Sequence, residues 1–483
     1  MTPDFPCWRS DFNRHLRRLR SGNDPHSPPW LHQFQILFHQ WFPEFLFAQE
    51  DQGPHSRCRR WPLRLTFWTF LWQVAQAGAS CREAVYQAAT LCQLQGRSIP
   101  RIDDGPYCMA RASLPLDRLE QIHSTLVKDA RRQTVSKDLW HGHRVYAADG
   151  TTVTLADTPA NQAAFPQQSV QKPGCGFPIM KLTALFCMTT GLLVAWATGH
   201  WHHHELQLLN QLWDFMASGD ILLGDRGFCT YGVVARCQFL GLHVVLRARG
   251  SLRADFRRGR RLGPHDREVL WTKSLKCPRT VDAELWSQLP DTLTLRLVRC
   301  QMSRAGFRSQ QVLLITNLRD TVRYPAESLS ALYLRRWDME LSLRYLKTTL
   351  QMEHLSCKSP GAVERELRMH LLVHNLVRRL MLDCARHHLV PLPRISFAGT
   401  LAGARRTAEA LLQARTQRMR RQLYEQLLLH IAADSVPDRP GRREPRALKR
   451  RPKPYPVLTC HRHRFTEPRH TNRRHKSPEI SMP

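Results

Sequence analysis

Residues 144–155 read RVYAADGTTVTL. Val, Tyr and Thr favour an extended chain, and the run predicts a strand that carries Asp149-Gly150. Just downstream, residues 182–199, LTALFCMTTGLLVAWATG, form an uncharged run close to membrane-spanning length. Thr189-Thr190-Gly191 interrupts it with a turn-like break. Two buried strands, 182–188 and 192–197, joined by a tight turn account for the run better than a membrane helix. ELQLLNQLWDFMA (205–217) then predicts a helix with Leu206, Leu209, Trp213 and Met216 on one side. ILLGDRGF (221–228) predicts a short apolar strand ending at Gly224-Asp225-Arg226-Gly227. The order is strand, strand, strand, helix, strand, with one acid on the first strand and another at the end of the fourth.

Either side of this stretch the pattern changes. Residues 1–140 are expected to be helical. LTFWTFLWQVAQAG (65–78) precedes Ser80-Cys81-Arg82-Glu83, which has capping-box spacing, and CREAVYQAATLCQL continues as a second helix. This pair suits a helix-turn-helix or an ordinary helical hairpin. LDRLEQIHSTLVKDARR gives a third helix, ending in cations. Residues 243–317 are basic and strand-like (HVVLRARG, TLTLRLVRC, QVLLITNL) and read as an inserted β-rich unit. Helical patterns return in YLRRWDMELSLRYLK (333–347) and AVERELRMHLLVHNLVRRLMLDCARHH. The expected division is a helical region at 1–140, a first core part at 141–242, the insertion at 243–317, a second core part at 318–400, and a C-terminal helix with basic tail at 401–483.

The 483 residues suit several domains and ample core, and the formal charge of +31 favours a polyanionic partner. Residues 439–483 hold 14 Lys and Arg against three Glu, with eight Pro, and read as an extended tail that grips DNA, wraps a second subunit or is simply solvated. The 14 cysteines show no C-x-x-C pair, which argues for reduced, mostly buried thiols rather than a zinc ribbon or disulfide scaffold. The N-terminus lacks the apolar segment of a signal peptide, so a cytoplasmic location is expected.

Within 333–347, Tyr333, Arg336, Glu340 and Lys347 fall on one stripe of a straight helix, within an arc of about 60° at about 100° per residue. Leu334, Trp337 and Leu341 lie on a neighbouring stripe that could hold the helix to a core. A salt-bridged, solvated face would look the same. Asp149, Asp225 and Glu340 are each explicable alone, as turn acids or an ion-pair partner. Together they fit an α/β, ribonuclease H-like core, in which first and fourth strands are neighbours and a later helix brings the third acid. Three carboxylates can hold two hard divalent cations, Mg²⁺ or Mn²⁺, for in-line displacement at a phosphodiester. Tyr333, Arg336 and Lys347 would then hold phosphate oxygens.

These residues resemble those of the DDE transposases of bacterial insertion sequences, in the IS-four family. That family's signature is Tyr, two residues, Arg, three, Glu, six, Lys, and Tyr333, Arg336, Glu340 and Lys347 match every spacing. YAADGTTVTL and LLGDRGF fit the family's two Asp motifs, and the likeness extends over about residues 60–458, through QMEHLSCKSPGAVERELRMHLLVHNLVR to GRREPRALKRRPKPYPVL. The resemblance implies cut-and-paste transposition with Mg²⁺. It implies binding of terminal inverted repeats in double-stranded DNA, with 1–140 as the end-binding region, release of 3′-hydroxyl ends and joining to target DNA, within a homodimeric synaptic complex at the bacterial nucleoid. Some relatives carry a Trp at the start of the strand matching VLLITN; here Gln311 and Val312 stand there, and Trp271 and Trp286 lie elsewhere in the insertion. The resemblance therefore carries cleavage further than it carries a hairpin intermediate. The end CHRHRFTEPRHTNRRHKSPEISMP has no familiar counterpart.

Other features have plainer readings. His202-His203-His204 suit a surface or helix-start role, since adjacent side chains diverge. Glu205 follows them and suits support of a helix N-terminus, or a place near the site. Trp337 suits packing, and Arg226 either DNA or a salt bridge. Two other functions fit the chain: a catalytically inactive, transposase-derived DNA-binding protein, and a structure-selective nuclease that cuts without joining.

Overall fold

The computed structural model describes residues 32–42, 44–47, 61–95, 102–249, 259–302, 310–437 and 458–466. Most of the basic tail and the first 31 residues lie outside these. Strands β1 (Val145–Leu155), β2 (Ile179–Cys187), β3 (Leu193–His200), β4 (Ile221–Gly224), β5 (His243–Arg247), β6 (Arg260–Gly263), β7 (Asp266–Thr272), β8 (Thr292–Met302), β9 (Gln310–Thr316) and β10 (His354–Leu355) form one sheet. Its order is β3-β2-β1-β4-β5-β9-β8-β7-β6, with β10 added beside the end of β1. β1, β2 and β3 are antiparallel neighbours, whereas β4 and β5 run parallel to β1. A three-strand meander followed by two parallel strands in the order 3-2-1-4-5 is a ribonuclease H-like core.

The uncharged run is the β2–β3 hairpin. Gly191 turns the chain at a φ of +72°, and its N–H donates to the Cys187 carbonyl at 2.7 Å. No helix among the described residues is long and apolar enough to cross a membrane. All four residues of β4 are buried, as a short strand covered on both faces must be.

Residues 243–247, which the sequence groups with the insertion, are instead the fifth strand of this core, parallel to β4. The insertion proper leaves after β5 and returns as β9, which pairs antiparallel with β5 and passes the sheet on to β8, β7 and β6. A buried, forked ion pair fixes the joint. Arg296 on β8 donates through Nε to Asp266 Oδ1 at 2.9 Å and through Nη1 to the Tyr324 carbonyl at 2.7 Å, leaving Arg296 1% exposed. Trp271 and Trp286 pack edge-on against Tyr231, at 5.6 and 5.7 Å between ring centroids.

Helices cover the core. In chain order they are α1 (Gln33–Phe38), α2 (Leu63–Ala75), α3 (Cys81–Leu94), α4 (Asp104–Ala112), α5 (Leu116–Arg132), α6 (Pro159–Ala164), α7 (Glu205–Leu209), α8 (Tyr231–Phe239), α9 (Ala283–Gln288), α10 (Ala326–Leu334), α11 (Arg336–Arg344), α12 (Pro360–His388), α13 (Phe397–Gln413) and α14 (Gln417–Ala433). The capping box forms: Glu83 N–H donates to Ser80 Oγ at 3.1 Å, and Ser80 N–H to the Glu83 carboxylate at 2.6 Å. The helix expected over 205–217 stops at Leu209. Asn210 turns its side chain to the Thr280 carbonyl (3.0 Å) and accepts from Trp213 Nε1 (3.2 Å), and a 3-10 turn follows at Trp213–Phe215. The long α12 runs behind the sheet and contacts α2, α5 and α14. From it the buried Asn375 grips β3, accepting from Leu193 N–H at 2.9 Å and donating to Leu193 O at 2.7 Å. Burial lowers the neighbouring His123 to about 4, so it packs neutral.

Candidate functional site: a carboxylate gap beside β1

β1 is paired along one edge by β2, but its other edge is shared. Val145–Ala147 pair with Ile221–Leu223 of β4, and Thr154–Leu155 pair with His354–Leu355 of β10. Between them, residues 148–153 have no strand on that edge among the described residues. Asp149 stands at this gap. Asp225 follows the last residue of β4, and both acids lie two residues beyond the Ala147–Leu223 pair, so they come level on neighbouring strands. The local turns hold them. Gly150 N–H donates to Asp149 Oδ1 at 2.9 Å, and Gly227 N–H to Asp225 Oδ1 at 2.7 Å.

Burial raises Asp149 to about 6, opposed by Arg336 and the Gly150 N–H and reinforced by the charges of Asp225 and Glu205. Arg336 Nη1 stands 4.0 Å from Asp149 Oδ2, while Nη2 donates to Glu340 Oε1. The third acid is therefore linked to the first through one guanidinium. Arg336 also lies over the Tyr333 ring, 5.9 Å from its centroid. Tyr333 is buried, which raises its phenol; Arg336, Arg247 and Asp225 are among the charges that face it.

The signature does not lie on one straight helix. α10 ends at Leu334, α11 starts at Arg336, and Tyr345–Thr349 form a π-helical turn. The packing stripe changes accordingly. Met339, Ser342 and Leu343 are the buried residues of α11, in place of Trp337 and Leu341, which are half-buried. Lys347, in the π turn, is 3.8 Å from Glu353 Oε1, and Glu353 O accepts from Thr154 N–H at 3.0 Å. Lys347 thus borders the β10 end of the gap. A wide helical turn of this kind is often found at functional sites.

Arg249 was not singled out from sequence. Its guanidinium donates to the carbonyls of Arg226 (3.0 Å) and Gly227 (2.8 Å), clamping the turn that carries Asp225. The only signal is its place in RARG, just after β5. The histidines have structural roles. His204 Nδ1 caps α7 by accepting from Leu206 N–H at 3.2 Å, and His203 Nδ1 accepts from His200 N–H at 3.1 Å. The described cysteines are free, most of them buried.

The all-oxygen donor set suits a hard divalent cation. Asp149 faces two further carboxylates and one guanidinium, a surplus of negative charge that a cation would offset. Among the described residues, however, no three His, Cys, Asp or Glu side chains already surround one point. The Glu340 carboxylate is held by Arg336 and has to leave it to join the two aspartates.

A ribonuclease H-like sheet with acids level on its first and fourth strands, and a later helix bringing Arg and Glu beside them, has the architecture of a DDE-type recombinase. Residues 140–376 match the family model described as the transposase DDE domain. The chain is 27% identical over 404 residues to the transposase InsG of insertion sequence element IS4 from Escherichia coli K12, covering 83% of this chain and 88% of that one. Among solved structures, a piggyBac transposase synaptic complex with hairpin DNA aligns with 79% of this chain and 80% of its own, at 9% identity and a TM-score of 0.41. The chain belongs to the IS4 family of DDE transposases. It is thus an enzyme of DNA transposition, from a family that works with divalent metal ions.

Proposed function

We propose that the protein moves an insertion sequence by cut and paste. It binds the terminal inverted repeats, cleaves at their ends to free 3′-hydroxyls, and joins these to target DNA. The observation that carries the reading is the level placement of Asp149 and Asp225 at an open stretch of β1, with Arg336 and Glu340 delivered to it by α11.

Asp149, Asp225 and Glu340 would hold two Mg²⁺ ions, with Mn²⁺ as a substitute, which would supply activation of the attacking oxygen and stabilisation of the leaving one. The residues around them act on the DNA. Arg336 exchanges Glu340 for a phosphate oxygen, for which its planar fork is suited. Lys347 exchanges Glu353 for another phosphate, as a point charge. Tyr333 stays protonated in its buried place and backs Arg336. Arg249 keeps the Asp225 turn rigid. Bringing two ends together uses two copies of the chain, and the basic surface and tail hold the duplex.

The test is excision from a donor plasmid carrying the element's native flanks, with Mg²⁺, beside an EDTA control. Asp149→Ala, Asp225→Ala and Glu340→Ala are expected to lose cleavage by at least about a thousandfold while still binding ends. Wild-type cleavage by any of them would remove that residue from the site. Cleavage without joining in the wild type would favour the structure-selective nuclease, and binding without cleavage the inactive DNA-binding protein.

A further inference from the structure

Arg336 and Glu340 occupy one side of α11, and roughly the opposite side borders a separate recess. The recess lies between the β2–β3 turn, α11, α12 and residues 392–395, with a volume of about 80 Å³. That is several times the space one water needs. Arg378 of α12 lines it and is only 7% exposed. Its Nη2 donates to Ser342 Oγ at 2.8 Å, its Nη1 reaches only the Met381 sulfur at 3.9 Å, and its Nε has no acceptor. No carboxylate among the described residues forms an ion pair with it. Arg296 and Arg379, buried at least as deeply, are each paired, with Asp266 and with Asp383 and Asp129. Burial lowers the Arg378 pKa, with the charges of Tyr345 and Asp338 opposing. A guanidinium in such a place lacks the counter-charge that buried cations normally have.

The lining is suited to an anion. Arg335 also borders the recess: its Nη2 donates to the Met188 carbonyl at 2.8 Å, and its Nε stands 3.9 Å from Asp338 Oδ2. The Arg335 side chain is 43% exposed, so the recess communicates with solvent. Two guanidinia against one carboxylate leave it with a surplus of one positive charge. Gly191, at the β2–β3 turn, keeps the space beside Arg378 clear, since a Cβ there would stand 3.1 Å from both Nε and Cζ. Tyr345, stacked on Phe397 at 4.5 Å between ring centroids, walls the other side.

We infer that this recess is an oxyanion site, which takes one phosphate-type group between Arg378 and Arg335. Guanidinium forks are matched to such a group. The anion supplies the counter-charge that Arg378 lacks and an acceptor for its Nε. Its source is either free phosphate or a backbone phosphate of DNA. Arg335 stands at the start of α11, and Asp338 and Ser342 lie on it. A bound anion therefore ties the back of this helix to α12 and the β2–β3 turn, and steadies the side that carries Arg336 and Glu340. The site stands independently of the metal reading of Asp149 and Asp225.

The experiment is calorimetric titration of inorganic phosphate into the full-length protein, in EDTA and without DNA, with ionic strength held constant by chloride. Wild type is expected to show one saturable site. Arg378→Met is expected to weaken it about tenfold or more, because a charged hydrogen-bond donor is lost. Arg335→Gln is expected to weaken it in the same direction, and Asp338→Asn, which removes the opposing acid, to tighten it. Arg260→Gln removes an exposed cation of the insertion, 70% exposed at its side chain, and is expected to behave as wild type. If Arg378→Met does not fold, the opposite signs of Arg335→Gln and Asp338→Asn still decide the matter. Absence of saturable binding in wild type, or equal affinity in wild type and all four variants, would overturn the site and leave only phosphate scattered over a basic surface. A second titration, with a duplex of random sequence, separates the sources. Weaker duplex binding by Arg378→Met, with phosphate competing in wild type, assigns the site to DNA. Unchanged duplex affinity with the phosphate response lost assigns it to the free anion.

Discussion

Asp149 is ionised at neutral pH against an opposing environment. Its folded value of about 6 lies above the usual 3.8, chiefly because of burial. A carboxyl raised in this way is favourable to folding while protonated, and that contribution is lost as pH rises from about 4 to about 6. Ionised, Asp149 therefore costs the metal-free protein at most about 3 kcal/mol. Asp149→Asn removes that cost. In EDTA at pH 8 its melting temperature is expected to exceed that of wild type, and the difference is expected to shrink toward pH 4. A lower melting temperature at pH 8 would mean that the Arg336 contact outweighs burial. The position of Asp149 on a strand was legible in YAADGTTVTL, as was its meeting with Asp225 at the end of ILLG. The clamp that Arg249 places on the turn of Asp225 was not. It joins a side chain beyond β5 to carbonyls that precede α8, and no local pattern encodes the pair.

At the scale of the element, the 333–347 segment departs from the straight helix that its spacing predicts. A straight helix puts Tyr333, Arg336, Glu340 and Lys347 on one stripe. The chain breaks the helix at Arg335 and widens it at Tyr345–Thr349. The i,i+4 pair Arg336–Glu340 survives because it lies wholly inside α11, and Tyr333 keeps its ring under Arg336. No breaker such as Gly or Pro marks either irregularity. Similarly, α4 lies within the stretch expected to be helical, but its Gly105-Pro106 gives it no helical signature of its own. Pro is tolerated in a first helical turn, where its missing N–H has no acceptor to satisfy. Arg336→Ala is expected to leave end binding within about twofold of wild type and to slow joining about a hundredfold, since it removes one phosphate contact but a charge at the reacting centre. Comparison of bound and joined fractions in a single-turnover assay checks this. An unchanged joining rate would leave Arg336 as no more than a partner for Glu340.

At the scale of the whole molecule, the first four core strands were readable because β2, β3 and β4 are mostly apolar runs bounded by turn residues and β1 is rich in Val, Tyr and Thr. The docking of the β-rich stretch was not, because strand pairing across the insertion is fixed by contacts between residues far apart in sequence. Arg296 and Asp266 are such a pair. Asp266→Ala would leave a guanidinium buried without its counter-charge and is expected to destabilise the protein by about 3–5 kcal/mol. Denaturant unfolding would show it as a lower midpoint. A loss below about 1 kcal/mol would indicate that the Tyr324 and Leu318 carbonyls alone satisfy Arg296.

The insertion leaves from β5 and returns on β9, the adjacent antiparallel strand, with Val245 opposite Thr316 and Arg247 opposite Leu314. Its two ends are therefore stapled side by side whatever lies between them, and lengthening a loop closed in this way costs little entropy. Asp149 and Asp225 both lie upstream of the staple, and α11 lies downstream. The strand pair acts as a socket. A lineage can enlarge, trim or exchange what is plugged into it while the reacting residues stay in register.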